Sequence, residues 1–109
     1  LTAVLDWEFC HAGVPAEDLT YCKYLIEKIL PWDEFMAVYY ANGGPQISEA
    51  RMHFFQVWRT LHLSILTGFA RGVFERAADQ DLRIATIGYN TMPKQLRDLA
   101  GDLARAVGV

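Results

Sequence analysis

The sequence predicts a mostly α-helical single domain, in which one short N-terminal strand is followed by five or six helices. Three observations carry that reading. A length of 109 residues has room for one domain, and a hydrophobic content of 52% supplies a core and excludes disorder. Beyond residue 15, apolar side chains recur at spacings of three and four, the period of a helix. Between those runs stand Pro31, Asn42-Gly43-Gly44-Pro45, Asp79-Gln80-Asp81 and Thr91-Met92-Pro93-Lys94, each a break or restart signal.

Taken in order, Leu1-Thr2-Ala3-Val4-Leu5 is an apolar run that stops on Asp6, as a buried strand does when it delivers a carboxylate to a loop. Phe9 to Val14 reads as that loop, with Gly13 available for a tight turn. Pro15 suits a first helical turn, and Glu17 and Asp18 lie near its positive end. With Leu19, Cys22, Tyr24, Leu25 and Ile29 they predict a helix over 15–29. Asp33 is the expected cap of a second helix carrying Phe35, Met36, Val38, Tyr39 and Tyr40, and Gly43 the expected stop.

Ser48 opens the longest element, about 28 residues or roughly 42 Å of helix. Phe54, Trp58, Leu61, Ile65, Phe69 and Val73 form its expected buried seam, with Trp58 in the middle, and Gln56, Arg59, Thr67, Arg71 and Glu75 its outer side. Gly68 and Gly72, four apart, admit a close helix or a bend. A short helix holds Leu82, Ile84, Ala85 and Ile87. A last one, restarting near Thr91, has Leu96, Leu99, Leu103 and Val107 as its seam.

Composition narrows the function classes. Thirteen acidic and ten basic residues give a net charge of −3, and no basic patch interleaved with aromatics is present, which argues against nucleic acid. No apolar run has membrane-spanning length. Cys10 and Cys22 are too few for a disulfide framework and lack the spacing of a metal site, so reduced thiols and a cytoplasmic location are expected. No Ser/His/Asp or Cys/His set assembles, and His53 and His62 read as packing histidines of the long helix.

Val4-Leu5-Asp6-Trp7-Glu8, followed by Gly13-x-Pro15-Ala16-x-Asp18-Leu19, resembles the second half of the active site in the aminoglycoside phosphotransferase and choline kinase-like family, which has a protein-kinase-like fold. The resemblance is specific over the metal-binding loop, residues 1–18. Over the helical region, 15–107, it rests on pattern alone, as the helical C-lobe that builds the acceptor site. It implies an ATP-dependent phosphotransferase acting on a small-molecule hydroxyl, with Mg²⁺ and ATP as cofactors. Phosphoryl transfer needs a hard oxygen ligand for Mg²⁺ on rigid backbone, and the resemblance assigns that role to Asp6. It assigns Asp18 to bracing the catalytic loop through backbone hydrogen bonds. Glu8 is a secondary position for a second metal or for ordering the loop, and His11 one for touching substrate. On local sequence alone Asp6 reads equally as a turn cap, and Asp18 as a first-turn acid satisfying helix N–H groups. Val14 departs from the many relatives that carry aspartate before the proline.

Nothing in the sequence matches a glycine-rich nucleotide loop, a nucleotide-binding lysine, or the catalytic loop with its histidine, aspartate and asparagine. In the family these lie upstream, so the catalytic base is expected there. The chain is then the C-terminal part of a kinase-like phosphotransferase domain, inactive in isolation. The alternative is a non-catalytic helical interaction module. An orphan strand at Thr2 to Leu5 offers unpaired backbone groups, and the expected state of the isolated chain is a homodimer through that segment.

Overall fold

The computed structural model describes residues 10–108. Among them the protein is mostly helical and contains no strand. The strand expected at Thr2 to Leu5 lies outside the described residues. Five α-helices follow: α1 (Pro15–Ile26), α2 (Trp32–Ala41), α3 (Glu49–Glu75), α4 (Leu82–Thr86) and α5 (Met92–Val107). A π-helical segment, Ile87–Thr91, joins the last two.

The helix ends follow local chemistry. Pro15 occupies the start of α1 as expected, but the helix stops at Ile26, short of residue 29. The amides of Lys28 and Ile29 turn back onto the carbonyls of Leu25 and Ile26, which tightens the chain ahead of Pro31. Pro31, and not Asp33, stands at the N-cap of α2, which places Asp33 in the first turn. At the other end of α2, Gly43 adopts φ 88°, and the Gly43 and Gly44 amides donate to Tyr40 and Tyr39, a Schellman closure. The Ser48 hydroxyl accepts from the Arg51 amide at 3.3 Å, starting α3 where the sequence puts it. The same closure ends α3 with Ala77 at φ 52°, a left-handed backbone without a glycine.

Asp81 caps α4 by accepting from the Arg83 amide at 2.8 Å. The Arg83 guanidinium and then that amide hold its carboxyl below the ordinary carboxylate range. Glu75 is lowered in the same way by Arg71 and by the Tyr89 hydroxyl. A lowered folded pKa contributes stability above the unfolded value and loses it as pH falls through the folded one. Asp81→Asn should therefore lower stability modestly at neutral pH and flatten the acid limb of a stability-against-pH curve below about pH 4, so that variant and wild type converge in acid, as thermal melts across that range would show.

The π-helical segment has an identifiable cause. Pro93, in the first turn of α5, has no N–H to give and breaks the regular ladder, which widens by one residue per turn just before it. The widened turn lays Gly88, which is buried, against the backbone of α3 at Arg71.

The faces of α3 and α5 are the main correction to the sequence reading. Phe54 is 63% exposed, Trp58 43% and Phe69 66%, and Leu61 and Ile65 are also open to solvent. The buried side of α3 is Thr60, Ser64 and Thr67, with Thr60 only 1% exposed. The physical reason is that each of these hydroxyls donates to a carbonyl one turn back on its own helix, to Gln56, Thr60 and Leu63 at 3.1, 2.7 and 2.8 Å. Small and already satisfied, they let α5 and the π-helical segment come close. On α5 the expected seam is likewise outward at Leu96, Leu103 and Val107, while Asp102 is 4% exposed. Its carboxylate accepts from Gln56 Nε2 at 3.2 Å and pairs with Arg105. Among the described residues the buried apolar side chains are Ala16, Leu19 and Met36.

Candidate functional site

The described part of the expected loop, residues 10–14, leads directly into α1, and the first turns of α1 lie against the middle of α3. Glu17 is the link. Its Oε1 accepts from Trp58 Nε1 at 3.3 Å and its Oε2 lies 3.1 Å from His11 Nε2. One turn on, the Tyr21 hydroxyl and His62 Nδ1 are 2.7 Å apart. Trp58 and His62 are themselves one turn apart on α3, with ring centroids 6.0 Å apart. These residues, with Asp18 and Leu66, line an open cavity of about 490 Å³.

The electrostatics of the cavity are acidic and aromatic. Burial first, and then the negative charge of Glu17, pushes the Tyr21 hydroxyl above its usual pKa, so at neutral pH it stays a phenol. Burial likewise pushes the Cys22 thiol up. Neither cysteine is in a disulfide, and Cys10 is exposed.

Of the residues singled out in the sequence, Asp6 and Glu8 lie outside the described residues. His11 and Asp18 are brought together: both are exposed, both line this cavity, and both line a second one of about 460 Å³ that also touches Cys10, Val14 and Tyr39. Asp18 sits in the first turn of α1, the position of an ordinary helix-start acid as well as of a brace. Val14 is the N-cap and supplies no side-chain cap, so the first amides of α1 go without one. Val14→Ser should raise stability by about 1 kcal/mol without adding charge beside Glu17 and Asp18, measurable as a higher urea midpoint.

Glu17, Tyr21, Trp58 and His62 were not site candidates in the sequence. His62 is a packing histidine as expected, held by Tyr21, whereas His53 is exposed with its Nε2 3.9 Å from Glu49. A larger cleft of about 840 Å³, lined from α1, α2, α3 and α5, contains the pairs Lys23–Glu27, Lys94–Asp98 and Asp102–Arg105 together with Asp33, Glu49 and Arg59. Among the described residues no group of three or more His, Cys, Asp or Glu side chains is placed to hold a metal ion. No helix among them is long and apolar enough to cross a membrane. No family model, curated protein or solved structure matches the chain.

Proposed function

We propose that this chain is the metal-loop and helical portion of an ATP-dependent phosphotransferase acting on a small-molecule hydroxyl. The observation that carries the reading is the spaced motif from Val4 to Leu19, in which Asp6 ends an apolar run and Pro15 and Asp18 open a helix. Asp18, exposed at the start of α1 beside an open cavity, has acceptor capacity for the backbone N–H groups of a neighbouring segment, as a brace requires. His11, held against Glu17, orders the loop that precedes α1.

Mg²⁺ and ATP belong to this reading through the resemblance alone, with Asp6 as the oxygen ligand; the described residues add no metal site of their own. Bound Mg²⁺ would neutralise charge on the transferring phosphoryl group. The base and nucleotide loop have no counterpart among the 109 residues, so the activity belongs to a protein that carries them together with this chain. A cytoplasmic setting, with ATP and reduced thiols, goes with it. The test is transfer of radiolabelled γ-phosphate from ATP, with Mg²⁺, to a panel of hydroxyl compounds. The complete protein should transfer and the 109-residue chain should not. Failure of the complete protein on every acceptor, with no ATP turnover, would remove the reading.

A second reading, a helical module that self-associates, is favoured by the outward stripe of Phe54, Ile65 and Phe69 on α3. Exposed apolar side chains on one helix face are relieved by association, most simply two-fold. Sedimentation of the chain at micromolar concentration should then show a dimer that Ile65→Lys converts to monomer. A monomeric wild type would rule it out.

A further inference from the structure

We propose that Trp58 and His62 are positioning residues for phosphoryl transfer: through the Glu17 carboxylate and the Tyr21 hydroxyl they fix the rotation and height of α1 on α3, and with it the place of Asp18. The proposal rests on the phosphotransferase reading for its consequence, and on the geometry of two helices for its mechanism.

The geometry is a two-rung ladder. On α1, Glu17 and Tyr21 are four residues apart, and on α3, Trp58 and His62 are four apart, so each helix offers one stripe of neighbours on one face. The rungs are 3.3 Å and 2.7 Å long. Both polar ends are directional, which the remaining packing is not. The apolar anchors of α1, Ala16 and Leu19, hold it down by burial, and burial favours contact without selecting a rotation. One rung alone would leave α1 free to swivel about it; two rungs a turn apart do not.

Asp18 follows Glu17 directly, about 100° round the helix, and its carboxylate makes no hydrogen bond among the described residues. The position of its Cα and Cβ, from which the carboxylate must reach, is therefore set by α1 as a rigid body. A misplacement of about 1 Å in a reacting assembly can cost on the order of a hundredfold in rate. The ladder also gives Trp58 a role that its burial does not, since its indole N–H is spent on Glu17 while the residue is 43% exposed.

The test uses three variants. Trp58→Phe keeps a ring and removes the N–H. His62→Leu removes the second rung. His62→Asn restores it, because a side-chain amide can accept or donate at the Nδ1 position. In the 109-residue chain, Trp58→Phe and His62→Leu should speed amide exchange over residues 19–23 about tenfold, the size of one such hydrogen bond, and leave α5 unchanged. In the complete protein the same two variants should lower kcat about tenfold or more with KM for ATP unchanged, and His62→Asn should recover most of both effects. Unchanged exchange in α1 overturns the proposal. Faster exchange throughout α3 and α5 overturns it too, since the residues would then be general supports. Local loosening with kcat intact removes the positioning role. A complete wild-type protein without phosphoryl transfer sinks the phosphotransferase reading and the role in transfer with it, while the exchange result still decides whether the ladder fixes α1.

Discussion

Gly88→Ala is expected to destabilise the protein by about 3 kcal/mol, at the upper end of what overpacking a close contact costs. A Cβ at residue 88 would lie 2.6 Å from the Arg71 Cα and 2.7 Å from both its N and its Cβ. Three of the neighbours of that contact are backbone or the first side-chain atom, so no rotamer change relieves it. The π-helical segment would have to lift off α3, and α5, continuous with it, would move as well. For a domain stable by about 5–15 kcal/mol the urea midpoint should fall by a large fraction of its value. Gly101→Ala is the control. Its Cβ would meet only the Arg105 guanidinium, at 3.7 Å, and in a helix interior the change should stabilise by up to about 1 kcal/mol. Similar midpoints for the two variants would show that α3 and the π-helical segment do not approach this closely.

On the proposed phosphotransferase reading, Asp6→Ala in the complete protein should abolish phosphoryl transfer while leaving the fold nearly intact. Among the four site candidates, Asp6 alone is assigned both by the apolar run that ends on it and by the family resemblance. Metal ions carry much of the charge stabilisation in phosphoryl transfer, and the loss of a ligand is not made good by a neighbouring surface acid. Circular dichroism and melting temperature separate a folded, inactive variant from a misfolded one. Near-normal transfer by folded Asp6→Ala would take the metal assignment away.

The helices were legible because their punctuation is local. Pro15, Gly43 and Ser48 act within a few residues of themselves, and all three stand at helix ends as expected. Which face of α3 lies inward was not legible. Two stripes with the same period compete on it: one apolar, from Phe54 to Phe69, and one of small hydroxyls, from Thr60 to Thr67. Hydrophobicity ranks the first as core. The second wins because its polar atoms are satisfied within the helix and its side chains take little space, and neither property appears on a scale of transfer energies. Within the candidate site, Asp18 was singled out by motif and His11 by its place in the loop. Their neighbours Trp58 and His62 were not, since 41 residues separate each from its partner on α1 and no local pattern joins them.

The hydroxyl-lined contact between α3 and its partners has a calorimetric consequence. Heat capacity rises on unfolding in proportion to the apolar area newly wetted and falls with the polar area. An interior closed by Thr60, Ser64, Thr67 and Asp102, with much of the aromatic surface already in water, should unfold with a heat-capacity increment below the usual ~12–15 cal/mol/K per residue. Its stability should then vary gently with temperature, as a broad, low dome whose cold side descends slowly, unlike the steep arch of a domain sealed by leucine and phenylalanine.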